Sequence, residues 1–331
     1  MYFLLIISLI LALLLVLNVA ASISASVLWR FASRRTQSWT AQNRARFIFA
    51  LRVFPLASAL VSVLAFLLPA YLLFEPNTSK EIVGFKLAFF SVASAVGVGF
   101  AFYRVFATRR ATRELVSDWM RNAEPIRVAG VSVPVYKIRH AFPVIAVIGT
   151  LRPRMFVAGQ IFDSLDENEF QAAVRHEAGH LAARDNFKRT IMRACRDLLV
   201  FPFGKTLDRA WAENAEAGAD EYAARTGGKR TALNLASALI KIARIIPPGA
   251  KPSMPSGAFL VEEPTAEIAF RVRKLLQMSG GNTVFQTARA SYFLFWIYSA
   301  SILFALVLLA ANQNFLQKVH DLLEAIVAVL Q

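Results

Sequence analysis

The sequence contains one cysteine, Cys195, in 331 residues, so no disulfide can close within the chain and a disulfide-stapled scaffold is excluded. A lone thiol of this kind fits a reducing compartment and is expected to pack against a neighbouring helix. Histidine is almost as scarce, with His140, His176, His180 and His320 making up the full set of four. Charged residues are only 18% of the chain, and acids are outnumbered, 22 against 37 lysines and arginines. No internal repeat or low-complexity tract is visible, which sets solenoids aside. The first apolar run has no positive charge ahead of it and is too long for the core of a secretory leader. It reads as a retained anchor, although Ala20, Ala21 and Ala25 offer small residues behind it.

What the chain does have is apolar residues, 56% of the total, and a mean hydropathy of +0.47. That balance points to a membrane protein. Four uninterrupted apolar stretches, Tyr2 to Trp29, Val53 to Phe74, Leu87 to Phe106 and Tyr292 to Ala311, are each long enough to cross a hydrocarbon layer roughly 30 Å thick. In the third, Ser91, Ala95 and Gly99 form a small-residue face that predicts close helix approach. In the second, Pro69 predicts a kink.

The net charge of +15 and a pI of about 10.4 raise the question of nucleic acid. The position of the charge answers it. Arg30, Arg34, Arg35, Arg44, Arg46 and Arg52 lie between the first and second spans, and Arg104, Arg109, Arg110 and Arg113 follow the third. The loop from Glu75 to Lys86 balances two acids with two lysines. By the positive-inside rule the amino terminus is outside, the arginine-rich loop inside, and the long segment to Arg289 inside. These arginines read as orientation signals and lipid-headgroup contacts, and no nucleic-acid partner is expected.

Four units follow: three spans within 1–106 (about 2–29, 53–74 and 87–106), a water-exposed segment 107–289, a fourth span 290–311 and a tail 312–331. In the exposed segment, Ile126 to Ile138 with a turn at Gly130, Val144 to Ile148 and Met155 to Val157 predict short strands, the last two separated by Arg152-Pro153. Asp166 with Glu169 predicts a capped helix running to about Ala183. Helices at Phe187 to Val200, Trp211 to Arg225, Thr231 to Ile246 and Glu267 to Leu276 follow, with a loop from Pro247 to Gly257. In the tail, Phe315, Val319, Leu322, Leu323, Ile326 and Leu330 recur at helical spacing. That pattern predicts an amphipathic helix on the outer membrane face, against a partner, or on the protein's own spans.

Chemistry concentrates at His176-Glu177-Ala178-Gly179-His180. Residues four apart on a helix are separated by about 400° of rotation, so both imidazoles leave one face and can hold one zinc ion. Glu177 is then placed to take a proton from the activated water. Catalytic zinc needs a third protein ligand. Glu216 supplies a carboxylate, with Asp220 one turn on to accept a hydrogen bond from a ligating imidazole; Glu213 is the rival third ligand. His140 and His320 have no partner at ligand spacing and are assigned structural or solvent roles.

The stretch Gly149-Thr150-Leu151-Arg152-Pro153-Arg154, then Leu165 to Phe170, then His176 to Asp185, resembles membrane zinc peptidases of the beta-lactam-sensor (BlaR/MecR-like) type. The Glu-x-x-Ala-Asp string at Glu216 to Asp220 looks like the related HtpX and CaaX prenyl-protease type. The resemblance implies a mainly α membrane protein: four transmembrane helices with a zincin-like (gluzincin) α+β metallopeptidase domain, bearing a small sheet, between the third and fourth. It implies His176, His180 and Glu216 as ligands of one zinc ion per chain, Glu177 as catalytic base and Asp220 as the ligands' hydrogen-bond partner. It also implies Arg271 as a contact to the transition state, and a strand near Met155 to Gly159 that pairs with extended substrate along a sheet edge. About 20 residues follow Ala311, so antibiotic sensing through an outer penicillin-binding domain is not expected. The resulting expectation is a membrane-bound endopeptidase in a bacterial-type inner membrane, facing the cytoplasm and cleaving membrane-associated or regulatory proteins. The alternative is a four-span adaptor or signal relay in which zinc is only structural.

Overall fold

The computed structural model describes residues 2–76, 83–197, 205–246, 265–280, 301 and 304–330. Among these, three helices are long and apolar enough to cross a membrane. They are α1 (Tyr2–Arg35), the continuous run through α2 (Ala41–Val61) and α3 (Leu68–Phe74), and α4 (Phe85–Arg121). Most of the expected fourth span, Tyr292 to Ala311, lies outside the described residues, as does the loop from Pro247 to Gly257.

Between α2 and α3 the helix widens into a π turn, Ser62–Leu67, closed by the Leu68 N–H donating to Val63 O. Pro69 follows at once. Proline brings no N–H and crowds the preceding turn, and a wider turn accommodates both effects. The expected small-residue face on α4 is only partly used. Its buried residues are Leu87, Ser91, Ser94, Gly97 and Ala101, whereas Ala95 and Gly99 are exposed and nothing approaches Gly99. The contact therefore follows a steeper path around the helix than a strict four-residue stripe. On that path the Ser91 hydroxyl donates to Ser8 O of α1 at 2.8 Å.

No helix-breaking residue separates Phe106 from Arg121, so α4 continues past its apolar run and delivers Trp119 to the core of the segment that follows. That core forms around a four-stranded sheet, β1 (Glu124–Ile126), β2 (Val135–Ile138), β3 (Ile145–Ile148) and β4 (Arg154–Ala158), in the order β1-β2-β4-β3. β4 runs parallel to β2 and antiparallel to β3. The strand expected to offer an edge near Met155 to Gly159 is thus interior, its backbone groups shared with neighbours on both sides. β3 is the edge strand next to the histidine helix. The β3–β4 turn needs glycine at Gly149, where φ is +107° and a Cβ would stand 2.8 Å from Arg152 O.

After a short α5 (Gly159–Ser164), α6 (Glu167–Ala183) begins with the expected capping box. The Asp166 side chain accepts from the Asn168 and Glu169 amides, and Glu169 accepts from Asp166 N–H. Glu169 also accepts from Ser237 Oγ and Lys241 Nζ, both at 2.6 Å, which ties α6 to α9 (Lys229–Ile245). Burial raises this carboxyl's pKa, but those three donors outweigh it and leave the pKa below its usual range. α7 (Asp185–Asp197), α8 (Lys205–Gly227) and α10 (Thr265–Ser279) complete the segment, and α11 (Gln313–Leu330) is the amphipathic tail helix. Leu323 and Val327 of α11 bury against Leu5, Leu9, Leu13, Tyr71 and Leu87. Of the three seats expected for the tail, the structure selects the protein's own spans.

α6 and α8 cross where Gly179 faces Ala219. A Cβ at Gly179 would lie 2.9 Å from Ala219 Cα and 3.2 Å from both Ala219 O and Tyr222 Cβ. Two helical backbones meet there, and backbone cannot swing aside as a side chain can. Gly179→Ala is expected to push α8 outward, to destabilise the protein by about 1–3 kcal/mol through overpacking, and to weaken zinc binding. Thermal unfolding and zinc titration of the purified full chain in detergent check this; wild-type values for both would refute it.

Candidate active site

α6 ends at Arg184, whose left-handed backbone (φ 55°) turns the chain so that Asp185 begins α7 beside the last turn. His176 and His180 leave α6 on one face, their rings at 84° and centroids 4.9 Å apart. Each Nδ1 meets a carboxylate at 2.8 Å: Asp220 of α8 for His176, Asp185 for His180. In the neutral ring that a metal requires, those hydrogen bonds fix the tautomer, with the proton on Nδ1 and the lone pair on Nε2. Both Nε2 atoms then point at the same place, 3.2 Å apart. Glu216 of α8 completes the triangle, one oxygen 3.4 Å from His176 Nε2 and the other 3.4 Å from His180 Nε2.

Three acceptors converging in a nearly dry place repel one another unless a cation lies between them. Four ligands around an ion at zinc's short bond length of roughly 2.0 Å stand about 3.3 Å apart. The three separations here match that spacing. His176 is fully buried, and Glu216 Oε2 is buried without a well-directed hydrogen bond, although Arg271 Nη1 stands 3.1 Å from it. Two imidazoles and one carboxylate are a donor set that suits zinc, so the residues present fit the ion. Glu213, the rival third ligand, is exposed on α8 and stands outside this group.

Around the three lies a layer of charge. Arg271 of α10 is buried and grips Asp220 with two hydrogen bonds, Nε to Oδ2 at 3.0 Å and Nη2 to Oδ1 at 2.8 Å, while Nη1 reaches toward Glu216. Its planar fork makes it a clamp on both carboxylates. Glu177 is buried next to His176 and close to the Val147 backbone of β3. On the same strand edge, Asn186 Nδ2 donates to Val147 O at 2.8 Å and Gly149 O at 3.3 Å. The β3 edge is therefore locked to the α6–α7 junction at this point.

The sequence expectations brought together by the structure are His176, His180, Glu216, Asp220, Glu177 and Arg271. Asp185 and Asn186 were missed as members of the site. Asp185 carried a signal, since it is the first carboxylate past His180 and closes the quoted His176-to-Asp185 stretch, but only the left-handed turn at Arg184 aims it back. His140 is elsewhere: its ring packs edge-on against Trp119 and its Nδ1 accepts from the Phe142 amide at 3.1 Å.

Titration behaviour follows from this geometry. Burial lowers the pKa of His180, yet Glu216 and Asp185 outweigh it and raise it to about 10. For His176, burial is likewise outweighed by Asp220 and Glu216, and its pKa rises. Asp220 is driven the other way: burial raises its pKa, but Arg271 and His176 bring it to about 2. Glu216 ends well below its usual value because both imidazoles and Arg271 overcome burial.

At neutral pH the imidazole of His180 therefore holds a proton that a metal must displace. Zinc binding is expected to release protons and to tighten as pH rises from about 6 to 9. Calorimetric titration in buffers of different ionisation enthalpy measures this directly, and identical heats in all buffers would refute it. Asp220→Ala and Asp185→Ala, which each free one imidazole to rotate, should each weaken zinc affinity about 10–100-fold by chelator competition.

No curated protein matches the chain. Residues 146–246, which span β3 through α9 and carry every residue of this centre except Arg271, match the family model of Peptidase family M48.

Proposed function

We propose that the protein is a membrane-bound zinc endopeptidase whose ion is held by His176, His180 and Glu216. The observation that carries this reading is the convergence of two Nε2 lone pairs and the Glu216 carboxylate on one point, 3.2–3.4 Å from one another, with Glu177 beside them. A zinc ion at that point would supply the Lewis acidity that lowers the pKa of water and polarises a peptide carbonyl.

The chain's own groups do the rest. Glu177 takes the proton of the attacking water and returns it to the leaving amine, so its carboxyl must hold a proton part of the time. Burial raises its pKa, which suits that task, and the two neighbouring imidazoles pull the other way and keep it ionisable. Asp220 and Asp185 hold the imidazoles in their tautomers. Arg271, expected as a transition-state contact, is proposed instead as a positioning residue, because its guanidinium is spent on Asp220 and Glu216.

The arginines at the ends of α1 and α4 that join the exposed segment support a cytoplasmic site in a bacterial-type inner membrane. Substrates are then membrane-associated proteins presented near the bilayer surface, in regulatory proteolysis or quality control. The adaptor alternative keeps the ion and drops the chemistry. Glu177→Gln discriminates the two: it is expected to retain wild-type zinc and to lose about 10²–10⁴-fold in the rate of casein or peptide cleavage by the purified full chain. Cleavage at the wild-type rate would leave only the adaptor.

A further inference from the structure

The far end of the bundle carries a second convergence of ligating groups, which the reading of His320 as an isolated residue overlooked. The helix from Ala41 to Phe74 is 34 residues long. Its first amide, Ala41 N–H, donates to Glu221, the neighbour of Asp220, at 3.1 Å. At 1.5 Å per residue, Glu75 at its other end lies about 50 Å from there along the helix axis. The two sites are therefore independent.

α11 folds back onto this end, seated by Leu323 and Val327 in the span core and by Phe315 against Phe66, centroids 5.5 Å apart. The same face buries His320, which is 8% exposed and lies at 5.9 Å from the Phe74 ring. His320 Nε2 points between two carboxylates, 3.9 Å from Glu75 Oε2 and 3.5 Å from Glu324 Oε1. The ligand atoms of all three residues lie within 4.8 Å of one another. Its Nδ1 has no hydrogen-bond partner among the described residues. A buried imidazole whose Nε2 stands too far from either carboxylate for a good hydrogen bond, but near the spacing of ligands around one ion, is what a metal site looks like without its metal. Glu324 follows His320 by four residues, so both leave one face of α11, and the carboxylate of Glu75 closes the set from the end of α3.

We propose that Glu75, His320 and Glu324 form a second, structural site for a divalent transition metal of the zinc type, which staples the tail helix to the spans. The imidazole selects against magnesium and calcium, and the exposure of Glu324, 62%, leaves water as the fourth ligand. The ion would bind where the positive-inside rule puts the outer membrane surface, on the side opposite the proposed peptidase centre.

The test is zinc stoichiometry of the purified full chain in detergent, loaded with Zn2+, desalted and measured by elemental analysis. Two ions per chain are expected in the wild type. One is expected in His320→Ala, one in His180→Ala and none in the double variant. Glu324→Gln, a surface change that leaves the fold intact, should weaken one ion in chelator competition and leave the other untouched. A single ion in the wild type that survives His320→Ala and vanishes in His180→Ala would overturn the proposal. So would two ions that both persist in His320→Ala and Glu324→Gln. A single ion lost only in His320→Ala would instead support this site and sink the catalytic one.

Discussion

The contact between Gly179 on α6 and Ala219 on α8 sets the distance on which the whole centre depends. The histidines come from one helix and Glu216 and Asp220 from another, and side chains of fixed length can meet only if the two backbones come this close. A methyl group at position 179 already lacks room. Small residues at a helix crossing are usually read as packing, and so they are here, but the packing has a chemical consequence. It lets a short carboxylate, Asp220, reach Nδ1 of His176 from behind while Glu216, one turn earlier, reaches Nε2 from the front. One helix thus grips both edges of one imidazole.

α8 is held from its other side by the membrane spans. Ala41 N–H at the start of α2 donates to Glu221, and Arg52 on the same helix pairs with Asp208 at 2.9 Å. Arg52 is almost fully buried, so this pair is enclosed and rigid rather than a loose surface contact. Around it pack Ile48, Leu51, Leu207, Trp211 and Ala215. Of the arginines that the sequence offers as orientation signals, this one is structural. Any tilt of the second span moves α8, and α8 carries Glu216 and Asp220. The anchor and the ligand set are mechanically one body.

The site was legible in the sequence to the extent that it is local. Two histidines four residues apart on a capped helix fix their own geometry, and Glu-x-x-x-Asp at Glu216 and Asp220 does so for the second helix. What local spacing cannot convey is which strand lies at an edge. β4 reads like any other short apolar strand, and its interior place follows from β2 and β3 choosing opposite sides of it, a non-local choice. Asp185 escaped for a related reason, since its aim depends on a single left-handed residue, Arg184, where glycine would have been the visible sign. The small-residue stripe on α4 shows the converse error: the periodicity was real, but the neighbour packs along a different path.

Charge governs what the centre can hold. Glu216 and Asp220, both held in their ionised form, share one buried arginine, Arg271, which leaves an excess of negative charge beside the imidazoles. Such an excess must be neutralised. Protonation of the imidazole pair does it, which is the physical content of their raised pKa values. One dication does it equally well while leaving both Nε2 lone pairs free to bind it. Protons and a divalent cation would thus be alternative occupants of one electrostatic hole, and Arg271 sets its depth. Were Arg271 absent, the deficit would deepen, Asp220 would lose both of its guanidinium bonds, and the His176 tautomer would lose its anchor. A residue one layer behind the imidazoles can in this way govern their charge.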